Sequence, residues 1–202
     1  RSHYPEEIRQ ALFQPLDSHD TERFLWNCKG DIRRLKLAAL FQMCFPGAPS
    51  IYYGDEIGLN GDNDPDCRRC MEWEKEKQNT EVLSFYKKII SIRKSYSCLR
   101  TGNTIPLVCE KMIYGYLCQS ENQQIYVLMN GTEEEYEVQL PVLEIARYKN
   151  LLTGESYEAE KLVNTKYFNE DMIPCQGSIK LSLKAFEGIV LKTGGMKDEK
   201  KQ

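Results

Sequence analysis

Near Cys98 the hydrophobic pattern of the chain changes period, and no single-layer architecture accommodates both halves. Before that point apolar residues recur at helical spacing between short apolar runs; after it they alternate, or run apolar, in segments of strand length. In the first half, Pro5 with Glu6 and Glu7 opens a short helix over Tyr4 to Phe13. Leu16-Asp17-Ser18-His19-Asp20 reads as the tip of a short strand whose C-terminal end faces solvent or ligand. Asp31 caps a helix to about Phe45, stopped by Pro46-Gly47, and Ser50-Ile51-Tyr52-Tyr53 has the composition of a buried parallel strand. A loop from Gly54 to Trp73 follows, longer than a compact domain normally spends on a connection, and then a helix capped by Thr80 and running to Tyr96.

The second half contains strand-like segments at Ile105 to Cys109, Met112 to Gln119, Gln124 to Met129, Glu135 to Leu140, Ala146 to Leu151, Ser178 to Leu183 and Phe186 to Lys192. Turn signals at Asn130-Gly131 and Thr153-Gly154-Glu155 separate some of them, and the pattern predicts an antiparallel β-sandwich. The chain is therefore expected to form two domains, residues 1–97 and 98–193, with a polar, disordered tail over 194–202. The first half amounts to two consecutive β/α units. Two units cannot close a barrel, which takes the full complement of eight.

Charge narrows the function. With 27 Lys+Arg against 30 Asp+Glu the net charge is −3, so a phosphate-neutralising nucleic-acid partner is not expected. The longest apolar stretch, Leu35 to Tyr53, is interrupted by Lys36, Gln42, Pro46, Gly47 and Pro49, well short of the ~20 residues that a membrane span needs. The chain begins Arg-Ser-His-Tyr-Pro, without an initiator Met or a signal-peptide pattern, and reads as cut from something longer. A chain with a core of this size does not need its eight cysteines as disulfides, which favours thiols in a reducing, cytoplasmic compartment. Cys67-Arg68-Arg69-Cys70 lacks the further ligands of a zinc site and the strand-to-helix context of a redox pair; no metal or other cofactor is expected.

The chemistry concentrates at strand ends. In a β/α barrel the working residues lie in the loops after the strands, the position of both Ser18-His19-Asp20 and the acidic loop beyond Tyr53. Alone, each has a plain structural explanation: Asp20 as a helix cap, Asp64 and Arg68 as a surface ion pair, Asp55 or Glu56 as a loop brace. Tyr52, Tyr53 and Trp73 are equally consistent with core packing and with stacking on sugar rings.

Three motifs in fixed order change that balance. Leu16-Asp17-Ser18-His19-Asp20-Thr21-Glu22-Arg23-Phe24, then Pro49-Ser50-Ile51-Tyr52-Tyr53-Gly54-Asp55-Glu56-Ile57-Gly58, then Asn63-Asp64-Pro65-Asp66-Cys67-Arg68-Arg69, resemble the α-amylase family of glycoside hydrolases. The likeness is greatest to its neopullulanase, cyclomaltodextrinase and maltogenic amylase group. Ser18, where many members carry Asn, points the same way, whereas Asp17 stands where a small residue is common. The resemblance runs from about residue 4 to residue 193 and implies the last two units of a (β/α)8 TIM barrel followed by the family's β-sandwich.

It further implies retaining hydrolysis of α-glucans by an Asp nucleophile, a Glu acid/base and a third carboxylate, with two carboxylates about 5 Å apart flanking the bond. By motif position Asp20 is the third, catalytic carboxylate, His19 binds sugar hydroxyls beside the cleaved bond, and Asp64 and Arg68 bind donor-side sugars. The segments that carry the nucleophile and the acid/base are not among these 202 residues, so the chain alone is expected to be inactive. The expected partner is an α-glucan oligosaccharide, with self-association or dimerisation through strands that lack neighbours. The alternative is a non-catalytic carbohydrate-binding or interaction module whose contacts lie beyond Cys98.

Overall fold

The computed structural model describes residues 5–162 and 174–194. The chain divides into two compact units, Arg1–Thr101 and Gly102–Gln202. The division falls past the change of period because Cys98–Thr101 forms one more helical turn.

In the first unit, helix α1 (Glu6–Ala11) leads into strand β1 (Phe13–Pro15). The expected helix from Tyr4 to Phe13 is thus shorter at its end, because Phe13 is taken up in pairing; Tyr4 lies outside the described residues. A short helix α2 (Phe24–Asn27), which sequence periodicity does not reveal, precedes helix α3 (Ile32–Cys44). Asp31 caps α3 by accepting from the Arg33 N–H at 2.9 Å, and the helix buries Leu35, Ala39, Leu40 and Met43.

Strand β2 (Ala48–Ser50) runs parallel to β1, with Phe13 opposite Ala48 and Pro15 opposite Ser50. The strand expected at Ser50 to Tyr53 therefore sits earlier. Its register is fixed from the side: the Gln42 amide of α3 donates to the Gln14 and Ser50 carbonyls, at 2.7 and 2.9 Å. Tyr52 and Tyr53 fall beyond the pairing.

Helix α4 (Thr80–Ser95) packs on α3, and Lys36 reaches Glu81 across the pair at 2.7 Å. Its cap is Asn79, not Thr80: Asn79 has extended backbone angles and accepts from the Val82 N–H at 3.0 Å, leaving Thr80 as the first helical residue. Near the end of α4 the buried Arg93 donates to the Met43, Phe45, Leu99 and Gly47 carbonyls, so one guanidinium satisfies the C-terminal end of α3 and holds helix α5 (Cys98–Thr101).

The second unit is built from antiparallel strands. β3 (Asn103–Glu110), β4 (Ile113–Ser120), β5 (Gln123–Asn130), β7 (Arg147–Asn150), β8 (Ser156–Glu158) and β11 (Gly188–Thr193) form one sheet in the order β3-β4-β5-β11-β7-β8. β6 (Tyr136–Val142), β9 (Glu160–Lys161) and β10 (Gly177–Leu183) form the other, in the order β6-β10-β9. Inward residues of both sheets enter one cluster: Leu117 and Leu128 from the first, Leu140 and Ile179 from the second. Pro106 and Pro141, which cannot donate to a ladder, both sit on outer strands of their sheets.

The Asn130-Gly131 signal marks a turn held by a side chain. Buried Asn130 donates its amide to the Glu134, Leu183 and Lys184 carbonyls and accepts from Thr132. β8 and β9 escape sequence reading because three and two residues carry no periodicity. Of the expected tail only Gly194 lies within the described residues. Among the described residues no helix is long and apolar enough to cross a membrane.

Candidate functional site

Two segments leave the C-terminal ends of the parallel strands, residues 16–23 after β1 and 51–70 after β2. The first is a tight polar turn. Ser18 N–H donates to the Thr21 hydroxyl at 3.0 Å, Thr21 N–H to the Ser18 carbonyl at 3.3 Å, and Asp20 N–H to the Ser18 hydroxyl at 3.2 Å. With its backbone thus occupied, the turn presents His19 and Asp20 outward, their side chains 62% and 70% exposed. Asp20 caps no helix. That task falls to buried Asp17, whose Oδ2 accepts the Phe24 N–H at 2.6 Å at the start of α2.

The second segment starts with a chain reversal at Gly54, whose φ of +93° and 2.7 Å approach of the Leu59 side chain leave no room for a Cβ. Glu56 accepts the Gly54 N–H at 2.8 Å and so braces the turn Asp55–Ile57. Gly61 lies so close to the Asp66 carbonyl that a Cβ would meet it at 2.6 Å. Asp66 accepts from Asp62 N–H and from the Arg69 guanidinium; these bonds, the Asp62 one foremost, hold its carboxyl below the ordinary range.

The loop then turns over Asp66–Arg68 and sends Arg68 back toward the first segment. Its Nε donates to the His19 carbonyl at 3.0 Å and lies 3.1 Å from Asp64 Oδ1, while Nη2 stands 3.5 Å from Asp20 Oδ1. His19 Nε2 is 3.2 Å from Asp20 Oδ2. The four residues singled out by sequence, Asp20, His19, Asp64 and Arg68, therefore converge in one exposed constellation.

Below it lies a residue whose role sequence reasoning missed. Arg23, fully buried, donates Nε to the Cys67 carbonyl at 2.8 Å and Nη1 to the Tyr53 carbonyl at 2.6 Å, and pairs with Asp55 at 3.3 Å. Its backbone N–H donates to Gly61 at 3.0 Å. Tyr52 and Tyr53 face its guanidinium with ring centroids 3.9 and 4.7 Å away, so these tyrosines wrap a cation. The Cys67 thiol, buried, donates to the same His19 carbonyl at 3.4 Å, whereas Cys70 is exposed. Beyond its position inside the motif, nothing in Thr21-Glu22-Arg23-Phe24 sets Arg23 apart from an ordinary surface arginine.

Electrostatics separate two layers. The outer one offers carboxylates and a guanidinium to solvent, a donor and acceptor set that suits vicinal hydroxyls. The inner one buries Asp17 and Asp55, 6% and 4% exposed, with Asp55 paired to Arg23. Burial, then the charge and hydrogen bond of Asp17, push the Asp55 carboxyl up to about 8, against the opposing pull of Arg23. Asp55 is thus withdrawn from any substrate. Trp73, 79% exposed, is not core. Among the described residues no group of His, Cys, Asp or Glu is arranged to hold a metal.

Comparison with known proteins gives a consistent result. The family model described as alpha amylase, catalytic domain, matches residues 2–102. A cyclomaltodextrinase of Geobacillus thermopakistaniensis (strain MAS1) is 42% identical over 160 residues, 78% of this chain and 27% of the relative. Neopullulanase 2 of Thermoactinomyces vulgaris is 38% identical over 195 residues, 95% of this chain and 31% of the relative. A solved cyclomaltodextrinase superposes with a TM-score of 0.80 at 32% identity, covering 95% of this chain and 31% of that one. The chain thus spans under a third of the length of each.

Proposed function

From the premise that this chain belongs to the α-amylase family, we propose that it forms one side of the sugar site of a retaining α-glucan hydrolase. The observation that carries the reading is Arg68, which draws His19, Asp20 and Asp64 from two loops into one polar cluster at the C-terminal ends of paired parallel strands. Asp20 serves as the carboxylate that stabilises the charged, distorted sugar at the transition state. His19 binds hydroxyls beside the cleaved bond, and Asp64 with Arg68 binds sugars on the donor side. Preorganised groups of this kind act most strongly where charge develops.

In this reading β1 and β2 are the last strands of a (β/α)8 barrel, and the antiparallel sheets that follow are its β-sandwich companion. The nucleophile and acid/base come from chain outside these 202 residues, and the substrates are cyclomaltodextrins, pullulan, maltooligosaccharides or starch. Buried Asp55 and the loop-bracing Glu56 leave both carboxylates engaged elsewhere, which supports assigning those two roles to other residues.

Reducing-end release on cyclomaltodextrin, pullulan and starch tests the proposal. The 202-residue chain alone is expected to release none. In the enzyme that contains it, Asp20→Asn is expected to lower kcat on the order of 10²–10³-fold with little change in KM. Release by the isolated chain would place the missing carboxylates within it and overturn the assignment.

A further inference from the structure

Beneath the exposed constellation, one buried cation pairs with Asp55, whose carboxyl also takes a hydrogen bond with that of Asp17. Arg23, Asp17 and Asp55 are all buried, and the guanidinium is 3.3 Å from Asp55. Two ionised carboxylates with one guanidinium would leave an uncompensated negative charge in a buried site, which is costly. Asp17 spends Oδ2 on the Phe24 N–H, while its buried Oδ1 has no partner among the described residues, nor have the buried Arg23 Nη2 and Tyr86 hydroxyl. A proton held between the two carboxyls gives Oδ1 the partner that neither of these donors supplies and neutralises the cluster.

We propose that Asp17 and Asp55 share one proton and, with Arg23, form a net-neutral buried clamp that positions the loop bearing Asp64 and Arg68 against His19 and Asp20. The route is continuous. Asp55 orients Arg23, Arg23 holds the Cys67 carbonyl, and the Cys67 thiol and Arg68 both donate to the His19 carbonyl. The remaining groups facing the clamp add no second cation. Tyr52 and Tyr53 cover the guanidinium, Glu56 is engaged by Gly54, and from α4 comes buried Tyr86, its phenol pushed up by burial and then by the charges of Asp55, Asp17 and Glu56. The raised Asp55 carboxyl agrees with this arrangement.

The shared proton stands independently of what the outer constellation binds; the positioning role rests on the reading of that constellation as a sugar site. Arg23, Asp17 and Asp55 touch no substrate in it and are positioning residues. Loss of the proton at alkaline pH would charge the clamp and loosen the loop.

Infrared spectroscopy of the 202-residue chain with ¹³C-carboxyl aspartate tests the first half. One protonated aspartate per chain is expected at pH 7, disappearing on titration through the range near pH 8, and absent in Asp55→Asn. Asp17→Asn serves as the second variant should Asp55→Asn not fold, with the same expectation. A fully ionised set of aspartates at pH 7, or a band unchanged in both variants, would overturn the proposal.

The second half is read from the ¹³C resonance of the His19 carbonyl. It is expected to shift in step with the infrared band in the unsubstituted chain and to lose that step in Asp55→Asn. A protonated aspartate without that carbonyl response would sink the positioning role and leave the proton. Failure of the sugar-site reading in the hydrolysis assay would leave both spectroscopic results as they stand.

Discussion

Removing the Arg23 guanidinium strands the buried Asp55 carboxyl and cuts the bonds to Cys67 and Tyr53. Arg23→Ala is accordingly expected to destabilise the first unit by about 3–5 kcal/mol, the usual cost of breaking a buried ion pair on one side, measured by urea unfolding. The pH dependence has a definite sign. A carboxyl raised to about 8 in the folded chain from about 4 in the unfolded one binds its proton more tightly when folded. Its contribution is therefore complete below about pH 4, declines across the window, and is lost once pH passes about 8. The slope approaches about 1.4 kcal/mol per pH unit for one proton, and a thermal-melt series from pH 4 to about pH 9 is expected to flatten in Asp55→Asn. His19, Asp20, Asp64 and Arg68 were legible in the sequence because they stand in motifs of fixed order. The clamp was not, since Asp17, Arg23 and Asp55 become special only through burial, and burial is set by the packing of β2, α4 and the loop around them.

Helices α3 and α4 could be read from periodicity to within a residue or so, because each carries a capping side chain and several turns of apolar stripe. The cap of α4 shifted from Thr80 to Asn79, both of them capping types, and only backbone angles decide between such neighbours. Asn79→Ala is expected to cost about 1 kcal/mol while Thr80→Ala costs less, a contrast that denaturant midpoints of the two variants would resolve. Strands β1 and β2 were misplaced for a different reason. At three residues each they show no alternation, and their register comes from the Gln42 side chain of a helix between them. The long strands β4, β5 and β10 were read nearly in full, because each presents enough alternating or continuous apolar residues to face a shared core. In the site loop, Gly61→Ala would drive a methyl into the Asp66 carbonyl. Weaker protection from hydrogen exchange at Arg23 N–H, which bonds to Gly61, is the expected signature.

On the scale of the molecule, the two units were foreshadowed by the change of period, and each organises its own contacts. The first unit leaves Ile8, Leu12 and Phe13 exposed at 47%, 42% and 70%, and β1 pairs on one side with β2 and with no other strand among the described residues. An open strand edge flanked by apolar side chains favours association. The isolated chain is expected to show a mass that rises with concentration in sedimentation velocity, and Phe13→Ser to weaken that rise; a monodisperse monomer at all concentrations would count against it. The contrast between the two cysteines of Cys67-Arg68-Arg69-Cys70 has a practical side. Cys67 is buried with its thiol on the His19 carbonyl, while Cys70 opens to solvent at the end of the same loop, and Cys109 is the other exposed thiol. With Cys109 replaced by Ser, a thiol-reactive dye would settle first on Cys70, a few residues from Arg68, so the chain carries its own attachment point for a fluorescent reporter of change around the exposed constellation.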